Sequence, residues 1–208
     1  MMTLPRKNFT IHCVIILILF FFLNIRYICA DIPEKSNDDK VAVVEKFLND
    51  IKTLEADFIQ IGQNGEISNG HFFLKRPDKL KMVCGSHVII VVGNKMIYYD
   101  RELKERTETT TYSSPLSFLL EKTVDLQKKL KVVSIQNSED SIAIKLCRKE
   151  EESEGAVTLV FSRNPLLLRK WILWPRKKEK HSSVGTEISL LNWKYNHRIS
   201  DEKFRKFN

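Results

Sequence analysis

Apolar positions along this chain fall into three regimes. Residues 11–23 are almost unbroken hydrocarbon, preceded by Arg6 and Lys7 and followed, after Tyr27-Ile28-Cys29-Ala30, by the polar run 31–40. Next, Val43, Val44, Phe47, Leu48, Ile51 and Leu54 recur at three- and four-residue spacing. That period predicts a helix that lays one stripe on a core. Asp38 and Asp39 lie just ahead of it, where carboxylates suit a helix N-terminus. Glu45, Lys46, Asn49, Asp50 and Lys52 fall on the polar face.

From Glu55 onward the period shortens. Strand-like runs occupy 56–62, 70–76, 80–84, 87–92, 95–100, 129–136, 141–147, 157–163, 166–174 and 187–195, and the polar, Thr-rich run 101–111 is a further candidate. Asn64-Gly65, Gly93-Asn94 and the segments 137–140 and 163–165 read as turns. A helical island interrupts them at 113–121, with Ser114 as N-cap and Pro115 as first helical residue. Leu116, Leu119 and Leu120 share one side of it. The last residues, 199–208, carry Phe204 and Phe207 among charges and receive no assignment. Many short strands at regular spacing predict a mainly β (α+β) fold, one antiparallel sheet curling into a barrel or half-barrel.

The first regime is a secretory signal peptide over residues 1–30: a basic head, a short apolar middle and a small residue at the exit. Its apolar run of about 13 residues is shorter than the roughly 20 a spanning helix needs. Cleavage is expected after Ala30. The competing reading is an uncleaved anchor extended through Ile25 and Ile28, against which Asn24 and Arg26 interrupt the run. Under either reading the working domain, residues 31–208, acts outside the cytoplasm, and its length fits one domain.

Charge and cysteines narrow the classes. Loss of the leader removes three basic and no acidic residues, so 31 basic against 26 acidic residues remain and the net charge falls from +8 to +5. No basic face or nucleic-acid motif stands out, so no nucleic-acid partner is expected. Cys84 and Cys147 remain, each in a strand-like run, as one disulfide or two buried thiols.

Reaction chemistry is sparse. The chain has neither a Gly-x-Ser-x-Gly elbow nor a phosphate-cradling glycine loop. His71, His87, His181 and His197 are scattered, without zinc spacing. Glu150-Glu151-Glu152 reads as a solvated turn, and adjacent Ser86 and His87 would face opposite sides of a strand. No catalytic residue, metal ligand or cofactor is assigned. A lipid-ester hydrolase would need a nucleophile–base pair that the pattern does not supply.

The distinctive segment is Gly70-His71-Phe72-Phe73-Leu74-Lys75-Arg76-Pro77. In a strand, Phe72, Leu74 and Arg76 share one side and His71, Phe73 and Lys75 the other. Either Arg76 reaches solvent while its stem covers apolar surface, or it sits at the mouth of an apolar interior and donates to backbone carbonyls or a ligand headgroup.

These residues resemble the LolA family of periplasmic outer-membrane lipoprotein carriers, from about Val41 to Phe207. The resemblance rests on Leu54-Glu55-Ala56-Asp57-Phe58-Ile59-Gln60 at the helix end, the Gly70–Pro77 strand, Gly93-Asn94-Lys95-Met96-Ile97-Tyr98-Tyr99-Asp100, and Ser114-Pro115-Leu116-Ser117-Phe118-Leu119-Leu120, in that order. It implies an incomplete antiparallel β-barrel whose helices form a lid over an apolar cavity. It implies acylated lipoproteins as cargo, an inner-membrane ATP-driven transporter as donor, an outer-membrane acceptor, and a periplasmic monomer. By match of position, Arg76 is the lid latch and Phe58, Phe72, Leu74, Leu80 and Met82 line the acyl-chain cavity. Phe47, Ile51, Leu116 and Leu119 cover it from the lid helices. A sheet packed solid beneath its roof would contradict that picture. A lipid- or lipoprotein-sensing regulatory domain of the same half-barrel shape is the alternative.

Departures from the family pattern are Lys81-Met82 after Pro77, Val92-Gly93 in the hairpin, a tail ending soon after Phe204, and the basic hairpin 176–183. That hairpin, with Trp171 and Trp174 before it, reads either as a solvated loop or as a contact for anionic lipid headgroups. The tryptophans are expected to pack in the sheet.

Overall fold

The computed structural model describes residues 36–111, 116–149, 155–175 and 184–207. The leader, Ser114-Pro115, Glu150–Glu152 and the basic hairpin 176–183 lie outside the described residues. The described residues belong to one compact unit.

The chain enters through helix α1 (Asn37–Asp50). Ser36 caps it: its Oγ accepts from the Asp39 amide, and the Asp39 carboxylate accepts from the Ser36 amide, each at 3.2 Å. This reciprocal capping box satisfies two otherwise orphaned donors. Val41, Val44 and Leu48 form the buried stripe. Val43, expected on that stripe, is exposed, because it follows Val41 by two residues and so turns about 200° away from it. The helix stops at Asp50, earlier than the apolar spacing predicts. Ile51 is already extended, and Leu54 lies in a strand.

Eleven strands follow: β1 (Thr53–Ile61), β2 (Ile67–Lys75), β3 (Lys79–Cys84), β4 (His87–Val92), β5 (Lys95–Asp100), β6 (Glu105–Thr110), β7 (Leu130–Asn137), β8 (Ser141–Arg148), β9 (Ala156–Arg163), β10 (Leu166–Trp174) and β11 (Thr186–Tyr195). They form one antiparallel sheet in the order β6-β5-β4-β3-β2-β1-β11-β10-β9-β8-β7. The chain thus runs outward from β1 to one edge, crosses to the other edge, and returns so that β11 closes on β1. The sheet is open, with β6 and β7 as its edges, so the barrel reading holds only as a curved, unclosed sheet. Curvature shows in the side chains. Phe72 on β2 and Trp171 on β10 are three strands apart, yet their ring centroids lie 5.3 Å from each other. In a flat sheet that spacing would be about 14 Å.

The island at 113–121 is a single 3-10 turn over Ser117–Leu120 in its described part, not a longer helix. It buries Phe118, Leu119 and Leu120. A short helix α2 (Leu126–Lys129), capped by Asp125, leads into β7. α1 and this connection cover one face of the sheet, and 26 buried residues from them and from the strands form a single apolar cluster. Cys84 and Cys147 are two separate thiols.

The opposite face carries a smaller cluster of Phe73, Ile199 and Phe204 beneath the C-terminal 3-10 turn Asp201–Phe204. Three lysines of β2 and β3 fasten this tail. Lys75 donates to Ile199 O and Asp201, Lys79 to Asp201, and Lys81 to Lys206 O. Phe207 packs on Tyr99 with ring centroids 4.7 Å apart.

Candidate functional site

Alternation along β2 places Phe72 and Leu74 under α1 and sends Phe73 to the far face, as the sequence predicts. Arg76 follows them at the strand end, half-buried against the C-terminal turn of α1. Its guanidinium donates to carbonyls on two separate elements. Nη1 reaches Leu48 O and, at 3.3 Å, Ile51 O. Nε and Nη2 donate to Glu121 O at 2.9 and 2.7 Å, and Nη2 also approaches Lys122 O and Asn49 Oδ1. The first pair lies at the helix C-terminus, where unpaired carbonyls concentrate negative potential. Burial pushes the Arg76 pKa down, and the Glu121 carboxylate partly offsets this. A guanidinium stays charged regardless. Arg76 therefore ties α1, the segment after the 3-10 turn and the end of β2 at one point.

Other residues repeat the tie, and the sequence pattern misses them. Asn49 donates to Val124 O and accepts from Val124 N, both at 2.8 Å. Glu45 accepts from the Leu126 amide at 2.8 Å. The periodicity assigns both to the solvated face of the helix. Their i, i+4 spacing instead forms a polar rail against the 124–126 backbone. The Asp78 amide donates to Leu120 O at 2.9 Å, and the Arg76 amide to Lys52 O at 2.8 Å.

All nine residues assigned to cavity and lid meet in the one apolar cluster. Ile51, Phe58, Phe72, Leu74 and Leu119 are buried within it, and Phe47, Leu80, Met82 and Leu116 pack against it half-buried. Phe47 sets its ring edge-on to Phe161 and Tyr195 at 5.7 and 6.0 Å. On β10 a bulge between Leu168 and Lys170 turns both Leu168 and Trp171 inward, three residues apart.

The expected hollow is not open. The space among Leu48, Ile51, Leu54, Phe72, Leu74, Arg76, Leu119, Leu168 and Trp171 amounts to about 10 Å³. That is no more than one water needs. Among the described residues, side chains of α1, the 3-10 turn and the sheet fill that space, so the expected standing cavity for acyl chains is absent from this arrangement.

The model of the family described as outer membrane lipoprotein carrier protein LolA matches residues 49–207. No curated protein matches the sequence. Among solved structures, an uncharacterized conserved protein from Thermus thermophilus superposes with a TM-score of 0.50 at 9% identity, covering 82% of this chain and 94% of that one. A LolA superfamily protein from Nitrosomonas europaea gives 0.43 at 8% identity, covering 79% and 97%. The Pseudomonas aeruginosa MucA/MucB complex gives 0.45 at 8% identity, covering 81% of this chain and 60% of that one. The Thermus match speaks to the fold alone.

Proposed function

The chain belongs to the LolA family of outer membrane lipoprotein carrier proteins, and from that premise we propose that it shields the acyl chains of lipoproteins in its apolar interior and carries them across the periplasm. The single observation that supports this is the Arg76 fan of hydrogen bonds, which joins the two covering elements over the largest apolar cluster. On this reading Arg76 is a latch, α1 and the 3-10 turn are the lid, and the cluster beneath is the acyl-chain site. The protein is a carrier and not an enzyme. It takes cargo from an inner-membrane ATP-driven transporter and passes it to an outer-membrane acceptor.

Each methylene moved from water to hydrocarbon is worth about 0.8 kcal/mol, so acyl chains do not cross an aqueous space unshielded. A standing empty hollow is also unfavourable. At about 24 cal/mol per Å³, a dry void of some 500 Å³ would cost on the order of 12 kcal/mol. An unloaded carrier therefore lets its lid fall into the site, and cargo enters by displacing the lid. The latch sets the balance: charge-assisted bonds to carbonyls are worth about 1.5–3 kcal/mol each, strong enough to hold the lid and weak enough to exchange for acyl contacts.

Mass spectrometry of apolar material co-purified with the protein from the periplasm tests the reading. Intact acylated lipopeptide is expected. Free lipid alone would point to a sensing domain, cleaved products to an enzyme, and no apolar ligand would contradict the proposal.

A further inference from the structure

Of the nine side chains around the residual void, seven are hydrocarbon. The other two are Arg76, whose three nitrogens are committed to carbonyls and Asn49, and Trp171. Trp171 is 2% exposed, and its indole Nε1 is buried without a hydrogen-bond partner. Its surroundings explain why. Across the sheet it faces Ile188 and Leu159, and its ring lies against Phe72. An indole N–H can only donate, and none of these side chains accepts. Trp174, three residues on, is paired, its Nε1 donating to Thr158 Oγ1 at 2.8 Å, whereas Trp193 Nε1, away from the residual void, is also buried without a partner. A buried donor left unpaired is uncommon and unfavourable. A phenylalanine would fill much of the same space without one.

We propose that Trp171 is a specificity-determining residue whose Nε1–H donates to an ester carbonyl of the acylated cargo. The inference rests on the carrier reading and deepens it. With the covering elements closed, the indole N–H is buried beside hydrocarbon side chains and donates to no protein acceptor. When cargo displaces the lid, the carbonyl that links acyl chain to glycerol enters with the chain and supplies an acceptor that the hydrocarbon walls lack. The pocket then distinguishes ester-linked chains from bare hydrocarbon of equal length, because binding the latter leaves the N–H unpaired.

The test compares two synthetic cysteine lipopeptides in calorimetric titrations of the purified protein. One carries two ester-linked palmitoyl chains, the other two ether-linked hexadecyl chains. The ester form is expected to bind about three- to tenfold more tightly, the value of one hydrogen bond. In Trp171→Phe the ratio of the two affinities is expected to fall to about one, whatever the change in affinity that the two forms share. Equal binding of the two forms by the unsubstituted protein overturns the proposal without needing the variant to fold, and so does a preference that survives in Trp171→Phe. Binding of neither form overturns the carrier reading itself, and this inference with it.

Discussion

Arg76 and Asn49 meet at the C-terminal turn of α1, with Arg76 Nη2 3.5 Å from Asn49 Oδ1. The same Oδ1 accepts from the Val124 amide, and Asn49 Nδ2 donates to Val124 O. One residue sits at the strand end and the other on the helix, and both hold the 121–124 backbone. The Arg76 and Asn49 hydrogen bonds are thus one network, so its parts are coupled.

Asn49→Leu removes both bonds to Val124 while keeping the branched side-chain shape and not lowering helix propensity. The buried Val124 amide and carbonyl lose their partners, at about 1–3 kcal/mol for each group left unpaired. The expected outcome is a lower urea midpoint, with amide exchange accelerated first at Val124, Leu126 and the last turn of α1. Uniform acceleration across the sheet would show that Asn49 supports the whole domain instead of the lid.

Arg76→Leu deletes the whole fan, while Arg76→Lys keeps the charge but cannot reach two elements at once with one ammonium. Both variants are expected to load lipopeptide and to pass it to acceptor vesicles more slowly than the unsubstituted protein, Leu more than Lys. Loss of closure removes the competitor that expels cargo. Release at the unsubstituted rate from Arg76→Leu would end the latch role.

Legibility in the sequence follows the range of the interaction. Phe72, Phe73 and Leu74 are placed correctly by the pattern because period-two alternation is local. Arg76 is legible as one of two readings, and the hydrogen bonds select the interior one. Asn49 is not, since its partner lies 75 residues away and leaves no local trace. Trp171 is expected in the sheet but not on its inward face, because the bulge before Lys170 breaks the alternation that would assign its side. The C-terminal tail shows no pattern because Phe204 and Phe207 dock on strands from the first half of the chain. The state of the interior is invisible altogether: apolar strands look alike whether they line a hollow or a closed core.

The ion pairs of Asp201 with Lys75 and Lys79 predict a pH-sensitive tail. Hydrogen bonds and charge from Lys75 and Lys79 hold its pKa down to about 2, below the ordinary 3.8. A depressed carboxylate stabilises the fold above its unfolded value and loses that contribution as pH falls through the folded one. The tail is therefore expected to stay docked at pH 5 and to loosen between about pH 4 and pH 2, read as amide exchange at 201–207 and as a change in the Tyr99 environment. Asp201→Asn should show the loosened behaviour already at neutral pH. A pH-independent tail in the unsubstituted protein would refute the assignment.

Gly70 faces Phe58 across β1 and β2, and a Cβ there would lie 2.7 Å from the Phe58 ring and 1.9 Å from Val83 O. Because one of those atoms is backbone, the strand must shift to accept alanine. Gly70→Ala is expected to lower stability by about 1–3 kcal/mol, measured by thermal unfolding. The double variant Gly70→Ala, Phe58→Leu should recover little, since the carbonyl contact remains. Full recovery would place the conflict in the ring alone.

Carriage of acyl chains under α1 is tested most directly by photolabelling. A lipopeptide bearing a diazirine within its acyl chain is bound, illuminated and mapped by peptide mass spectrometry. Adducts are expected on inward side chains beneath the lid: Leu54, Phe58, Phe72, Leu74, Leu168 and Trp171. Adducts confined to the outer face, at exposed Ile59, Ile61 and Ile67 or beneath the tail at Phe73 and Phe204, would contradict the account.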